Sequence, residues 1–171
     1  MREPAAQRIK GRALGPGLFV YGTLMDADVR TLVIGRPLEA EQLQPALLKN
    51  MRRVYIAGRL YPMVVPRRGA AVAGFLLAGL SEDDYARLDA FEGVDYGRER
   101  QNVSPLGADG REGEPLLAWL YRTRGVGPRP SPRAWELEAW RAREKTQFLR
   151  DAQLWIAQLS AQQKGGPKTA L

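Results

Sequence analysis

The chain has 171 residues, 44% of them hydrophobic and 26% charged, which suits one domain with a real core and is short for two. It contains no cysteine and no histidine, so disulfides, thiolate nucleophiles, imidazole bases and the usual zinc ligands are excluded, and chemistry falls to carboxylate, lysine, tyrosine, hydroxyl or backbone groups. The net charge of +7 is dispersed along the chain, with Arg52-Arg53 and Arg67-Arg68 as adjacent pairs and no zinc-finger or aromatic–basic motif, so no nucleic-acid partner is expected.

Residues 1–16 mix Arg2, Arg8, Lys10 and Arg12 with Gly and Pro and have no apolar run of the kind a signal segment carries; a flexible N-terminal tail is expected. Residues 18–21 form a β-prone run ended by Gly22, a strand running into a turn. A helix over residues 26–34 follows, with Asp26 and Asp28 at its start and Gly35 then Pro37 as its stop. Residues 46–65 read as one or two strands with a bend at Gly58 and Pro62. Residues 72–80 are a nearly wholly apolar strand; as the longest apolar stretch it is well short of the ~20 residues that span a bilayer. No membrane partner and a cytoplasmic location are therefore expected.

A second helix is predicted over residues 81–92, with Ser81 as N-cap, Asp84 completing a capping box and Gly93 as the C-terminal stop. Residues 98–106 and 116–121 pair as a hairpin across a loop containing Gly107, Gly110 and Gly113. After a Pro- and Gly-rich linker over residues 125–132, one helix is predicted from about Arg133 to Gln162, with Leu137, Trp140, Phe148, Trp155 and Leu159 mostly on one face. Residues 163–171 are expected to be a flexible tail. The order predicts an α+β domain over residues 17–162, built around a strongly bent or closed sheet.

Two features could carry chemistry. With successive helical residues about 100° apart, Glu92 falls in angle between Tyr85 and Leu88, the residues that must face the core. The pattern thus aims a carboxylate inward at a helix C-terminus, where burial and the helix dipole both raise its pKa toward the range useful for acid/base catalysis. The competing structural role for Glu92 is an ion pair with Arg98 or Arg100, or an outward bend into solvent. The second feature is Tyr21-Gly22-Thr23-Leu24, a tight turn between strand and helix that can present several backbone N–H groups to one point, with Gly22 allowing close approach.

The segment from Leu18 to Leu24, Gly58-Arg59-Leu60-Tyr61-Pro62 with an aliphatic pair after it, Gly74 in a strand, Leu88-Asp89-Ala90-Phe91-Glu92-Gly93, then Tyr96 with Arg98, and finally Trp135, Trp140 and Phe148 occur in an order and spacing that resembles the γ-glutamylcyclotransferase-like family, in particular its AIG2-like branch. The resemblance covers residues 18–149. It implies a small closed or strongly bent mixed β-barrel flanked by helices, with a long C-terminal helix. It further implies a cavity rimmed by Tyr21, Gly22, Thr23 and Leu24 with Glu92 as catalytic acid/base. Tyr61, Tyr96 and Tyr121 are implied as cavity residues, each equally compatible with a core tyrosine whose hydroxyl is satisfied. Arg98 could bind a substrate carboxylate or pair with Glu92.

No metal and no cofactor is implied, and the partner is a small-molecule γ-glutamyl substrate. In a γ-glutamyl amide the substrate's own α-amine can attack its γ-carbonyl, releasing 5-oxoproline and an amine, so one shuttling carboxylate and a few N–H donors are enough. The motifs speak to the γ-glutamyl half of that substrate. The alternative is a non-catalytic domain of the same fold that binds a small ligand.

Overall fold

In strand β1 (Leu18–Val20) successive side chains point to opposite sides, and both sides are buried. Leu18 and Val20 face a layer of helices, whereas Phe19 joins Leu48, Val72, Val103 and Leu120 from four other strands in one apolar cluster. Such a cluster, fed by every strand of a ring, is the inside of a closed sheet. The computed structural model describes residues 16–165; most of the two expected tails, residues 1–15 and 166–171, lies outside the described residues.

β1 runs parallel to β5 (Leu116–Thr123) and antiparallel to the end of β3 (Pro62–Leu77). β5 pairs with β4 (Tyr96–Pro105), β4 pairs with the start of β2 (Leu43–Ile56), and β2 pairs with β3 as a long hairpin. The order β3-β1-β5-β4-β2, closed by β2–β3, is a five-stranded mixed barrel. β6 (Pro130–Ala134) lies outside the ring, on the far part of β2.

Closure brings β1 very close to β3. A Cβ added at Gly74 would lie 2.3 Å from the Val20 carbonyl oxygen and 2.7 Å from the Phe19 ring, so only a residue without a side chain fits there.

Helix α1 (Ala27–Ile34) is capped by Asp26, whose carboxylate accepts from the N–H groups of Asp28 and Val29 at 3.0 and 3.4 Å. Helix α2 (Glu82–Glu92) starts at the expected capping box: Asp84 N–H donates to Ser81 Oγ at 3.1 Å, and Ser81 N–H to Asp84 Oδ2 at 2.9 Å. It stops at Gly93, whose φ of 69° is costly for a residue with a side chain.

Two expectations are corrected. Residues 66–71, Pro-Arg-Arg-Gly-Ala-Ala, belong to β3, so the strands expected within 46–65 and 72–80 form two long strands joined at residues 57–61. The single helix expected from Arg133 to Gln162 is in fact the end of β6, then α3 (Leu137–Arg143) and α4 (Lys145–Lys164). Pro130 and Pro132 hold the first piece extended and lack the N–H groups a helix needs. Its exit is pinned by Arg53, whose guanidinium donates to the carbonyls of Trp135 at 3.0 Å, Tyr21 at 2.8 Å and Ala73 at 3.1 Å. Between α3 and α4, Glu144 leaves the helical region at φ −120°, ψ −19°, and its carboxylate accepts from Tyr55 Oη at 2.8 Å. α4 also runs through Lys164, into the expected C-terminal tail. Among the described residues no helix is long and apolar enough to cross a membrane.

Candidate active site

At the end of the barrel where β1, β2 and β5 finish and β3 and β4 begin, the loops enclose a cleft of about 900 Å³. The turn after β1, the β2–β3 turn and the C-terminal turn of α2 wall it on one side. The face of α4 carrying Phe148, Asp151, Ala152, Trp155 and Leu159 walls it on the other.

β1 stops short of Gly22, and the chain folds at once into a 3₁₀ turn over Thr23–Met25, closed by Met25 N–H to Gly22 O at 2.9 Å and Asp26 N–H to Thr23 O at 3.0 Å. Among the described residues, no hydrogen bond takes up the N–H of Gly22, Thr23 or Leu24, as expected at the start of such a turn. Gly22 is closely packed as well: an added Cβ would lie 3.0 Å from Cγ of Pro62, a contact that the proline ring would have to ease. Tyr21 turns into the barrel and donates from Oη to the Tyr121 carbonyl at 2.6 Å.

Glu92 closes α2 at the cleft. Its residue surface is partly open to the cleft, but protein atoms crowd the carboxyl, and the crowding dominates: burial first, and the Asp89 charge second, push its pKa up to about 8. Among the described residues no cation pairs with it. Tyr21, Tyr61, Tyr96 and Tyr121 all line the same cleft, and each is raised above the ordinary phenol value, first by burial, with the Glu92 charge adding to the push on all four. Tyr96 donates to the Pro62 carbonyl at 3.0 Å, and the Tyr61 ring packs against Tyr96 and Phe148 with centroids 6.3 and 6.4 Å apart.

Arg98 pairs with Asp89 and not with Glu92. Its guanidinium grips Asp89 in a two-point pair at 2.8 and 3.0 Å and lies over the rings of Tyr85 and Trp119 at 4.7 and 5.2 Å. It lines a separate depression beside the cleft, and Arg100 stacks on Trp119. Among the described residues Glu92 is therefore left without an ion pair, and Asp89 is held by Arg98 and by Tyr121 Oη at 2.7 Å.

In the sequence Asp89 stands within the segment from Leu88 to Gly93 that carries the resemblance, with no role given to it there, and its three-residue spacing from Glu92 puts both on one helix face. Trp155 reads in the sequence as a core-facing residue of a helix, yet it stands half exposed on the cleft and donates its indole N–H to the Phe91 carbonyl at 3.2 Å. No cluster of three or more Asp or Glu suited to a metal ion occurs among the described residues.

A model of the family described as gamma-glutamyl cyclotransferase, AIG2-like, matches residues 18–142. AIG2-like protein D of Arabidopsis thaliana is 34% identical over 133 residues, 78% of this chain and 84% of the relative. A solution structure of an Arabidopsis thaliana protein, 29% identical, superposes with a TM-score of 0.55 over 80% of this chain and 87% of that one. A second, at 22% identity and a TM-score of 0.56 over 94% and 93% of the two chains, has the same fold.

Proposed function

The chain belongs to the AIG2-like γ-glutamyl cyclotransferase family, and from that premise we propose that it cleaves a γ-glutamyl amide by intramolecular attack, with Glu92 as general acid/base. The observation that carries the proposal is a carboxyl with pKa near 8, unpaired by any described cation, in a cleft beside a turn with unspent N–H groups. Near neutral pH such a group can both take and give a proton.

In this mechanism the α-ammonium of the substrate gives a proton to Glu92, and the freed nitrogen attacks the γ-carbonyl carbon to form the five-membered ring. The carbonyl oxygen becomes an oxyanion, for which the N–H groups of Gly22, Thr23 and Leu24 are the candidate donors. The intermediate collapses by breaking the bond to the leaving nitrogen. Of the three hydrogens on the α-ammonium, one stays on the lactam nitrogen and two pass to the leaving amine, carried in turn by Glu92. Substrate and products balance without an added reactant, and the nucleophile is already attached, so proximity supplies much of the rate. Tyr61, Tyr96 and Tyr121 shape the chamber and limit water around the carboxyl.

The test is a turnover screen of γ-glutamyl amides scored by 5-oxoproline release, run on the wild type and on Glu92→Gln. The wild type should release 5-oxoproline from at least one class of amide, and the variant should be slower by about two orders of magnitude or more. A folded variant that turns substrate over at the wild-type rate would overturn the role of Glu92. Release from no amide at all would overturn the activity.

A further inference from the structure

We propose that Arg53, which stands outside the cleft, is a positioning residue for the reaction: it holds the Tyr21–Gly22 peptide so that the Gly22 N–H points into the cleft as a donor to the oxyanion. This rests on the cyclotransferase reading given above.

The turn after β1 offers the N–H groups of Gly22, Thr23 and Leu24, and each belongs to a peptide whose carbonyl is already engaged. The Gly22 carbonyl accepts from Met25 N–H at 2.9 Å and the Thr23 carbonyl from Asp26 N–H at 3.0 Å, so the 3₁₀ turn itself aims the N–H groups of Thr23 and Leu24. The Tyr21 carbonyl lies ahead of the turn and has no such partner within it. It accepts instead from Arg53 Nη1 at 2.8 Å, a group 32 residues further along the chain. A trans peptide points its C=O and N–H in opposite directions, so whatever fixes the Tyr21 carbonyl fixes the Gly22 N–H as well. Gly22 lines the cleft and Arg53 does not, so the N–H is the end turned toward a substrate.

Arg53 is suited to this hold. Its side chain is 11% exposed, so water competes little for its hydrogen bonds, and its planar fork also donates to the carbonyls of Ala73 in β3 at 3.1 Å and Trp135 after β6 at 3.0 Å. The guanidinium is thereby locked against two further segments of the fold. Its acidic neighbour Glu136 stands 3.5 Å away and 70% exposed, too loose a partner to draw it off. A charged donor on the carbonyl also polarises the whole peptide, which makes the Gly22 N–H a stronger donor. Without Arg53, glycine leaves this peptide free to rotate, and a rotated peptide would aim the partial negative charge of the Tyr21 carbonyl at the place where the oxyanion forms.

The test measures kcat and KM for 5-oxoproline release in the wild type, Arg53→Met and Arg53→Lys, well below each melting temperature, together with the amide nitrogen and proton resonances of Gly22, Thr23 and Leu24. In Arg53→Met, kcat should fall by about 10- to 100-fold while KM stays within about threefold of the wild type. The Gly22 amide should shift, and those of Thr23 and Leu24, which the turn holds, should stay near their wild-type positions. If Arg53 only braces the fold, the melting temperature drops while the kcat of folded molecules and the Gly22 amide stay where they were; that result overturns the proposal and leaves the cyclotransfer standing. Should Arg53→Met fail to fold, Arg53→Lys decides, since it keeps the charge and loses the fork: kcat should fall in step with the Gly22 shift, and a shifted Gly22 amide at the wild-type kcat overturns the proposal. A wild type that releases 5-oxoproline from no γ-glutamyl amide overturns the reaction instead. The resonances then read the hold alone: a shifted Gly22 amide in the Arg53 variants supports it, and an unshifted one overturns it too.

Discussion

At pH 7 a carboxyl with a pKa near 8 is mostly protonated, so Glu92 sits in its cleft as a neutral acid and becomes charged as the solution turns alkaline. Its folded pKa lies above the ordinary value of 4.5, so the stability it contributes is complete below about pH 4.5 and is lost as pH rises through about 8. Glu92→Gln should therefore melt close to the wild type at about pH 5 and above it at about pH 9, with a gap of roughly a few kcal/mol at most; thermal melts across that range check this. If the ionised form starts the reaction, kcat/KM should rise with pH through about 8. Asp89→Asn removes the second cause of the upward push, so that rise should move to lower pH while burial keeps it above the ordinary carboxylate range. An unmoved pH profile would mean Asp89 has no hold on Glu92. The inward aim of Glu92 is legible as an arc on a helix, because the angle per residue is local geometry. That Arg98 takes Asp89 is not legible, since the pairing depends on how β4 lies across α2.

At the scale of elements, Asp26 does more than cap α1. It is 1% exposed and also accepts from Arg141 Nε at 2.8 Å and Lys145 Nζ at 3.0 Å, tying α1 to α3 and α4. Burial would raise its pKa, but the hydrogen bonds from Arg141 and Lys145 outweigh it and hold the carboxyl below the ordinary 3.8. The stability it supplies is thus present above that value and lost as pH falls below it. Asp26→Ala forfeits a cap and both partners, which are partly exposed and can turn to water, so the loss should be about 2 kcal/mol, read by chemical denaturation at neutral pH. A loss of only a few tenths would mean the junction carries no weight. The cap is visible in the sequence because capping is a matter of neighbours along the chain. Arg141 and Lys145 lie 115 and 119 residues away, and helix periodicity says which face is apolar, not which charged group meets it.

For the whole molecule, barrel closure hangs on the contact between β1 and β3. Gly74→Val would drive a side chain into the Val20 carbonyl, which is backbone of a paired strand, and into the Phe19 ring, which is packed in the barrel interior, so neither can give way cheaply. The expected loss is about 3 kcal/mol or more, seen as a lower melting temperature together with weaker protection of the β1 amides from hydrogen exchange. A variant that keeps both would show that the barrel can open at this seam without cost. In the sequence Gly74 is visible only as a glycine in a strand; the strand that crosses it is distant in the chain.

Whatever depends on near neighbours can be read from the chain alone. The caps of α1 and α2, the stop at Gly93, the hairpin of β4 and β5 and the inward aim of Glu92 each follow from residues close together, where backbone sterics and hydrogen-bond reach act directly. The lack of thiol and imidazole likewise bounds the chemistry ahead of any fold. Four other features arise only when the chain is folded: β1 lies parallel to β5 and closes the ring, residues 130–134 become an edge strand whose exit Arg53 holds, Arg98 pairs with Asp89 and not with Glu92, and Trp155 stands over the cleft. Each of these is a meeting of segments far apart in the chain, and which segments meet is set by the packing of all the apolar faces together, which local periodicity does not encode.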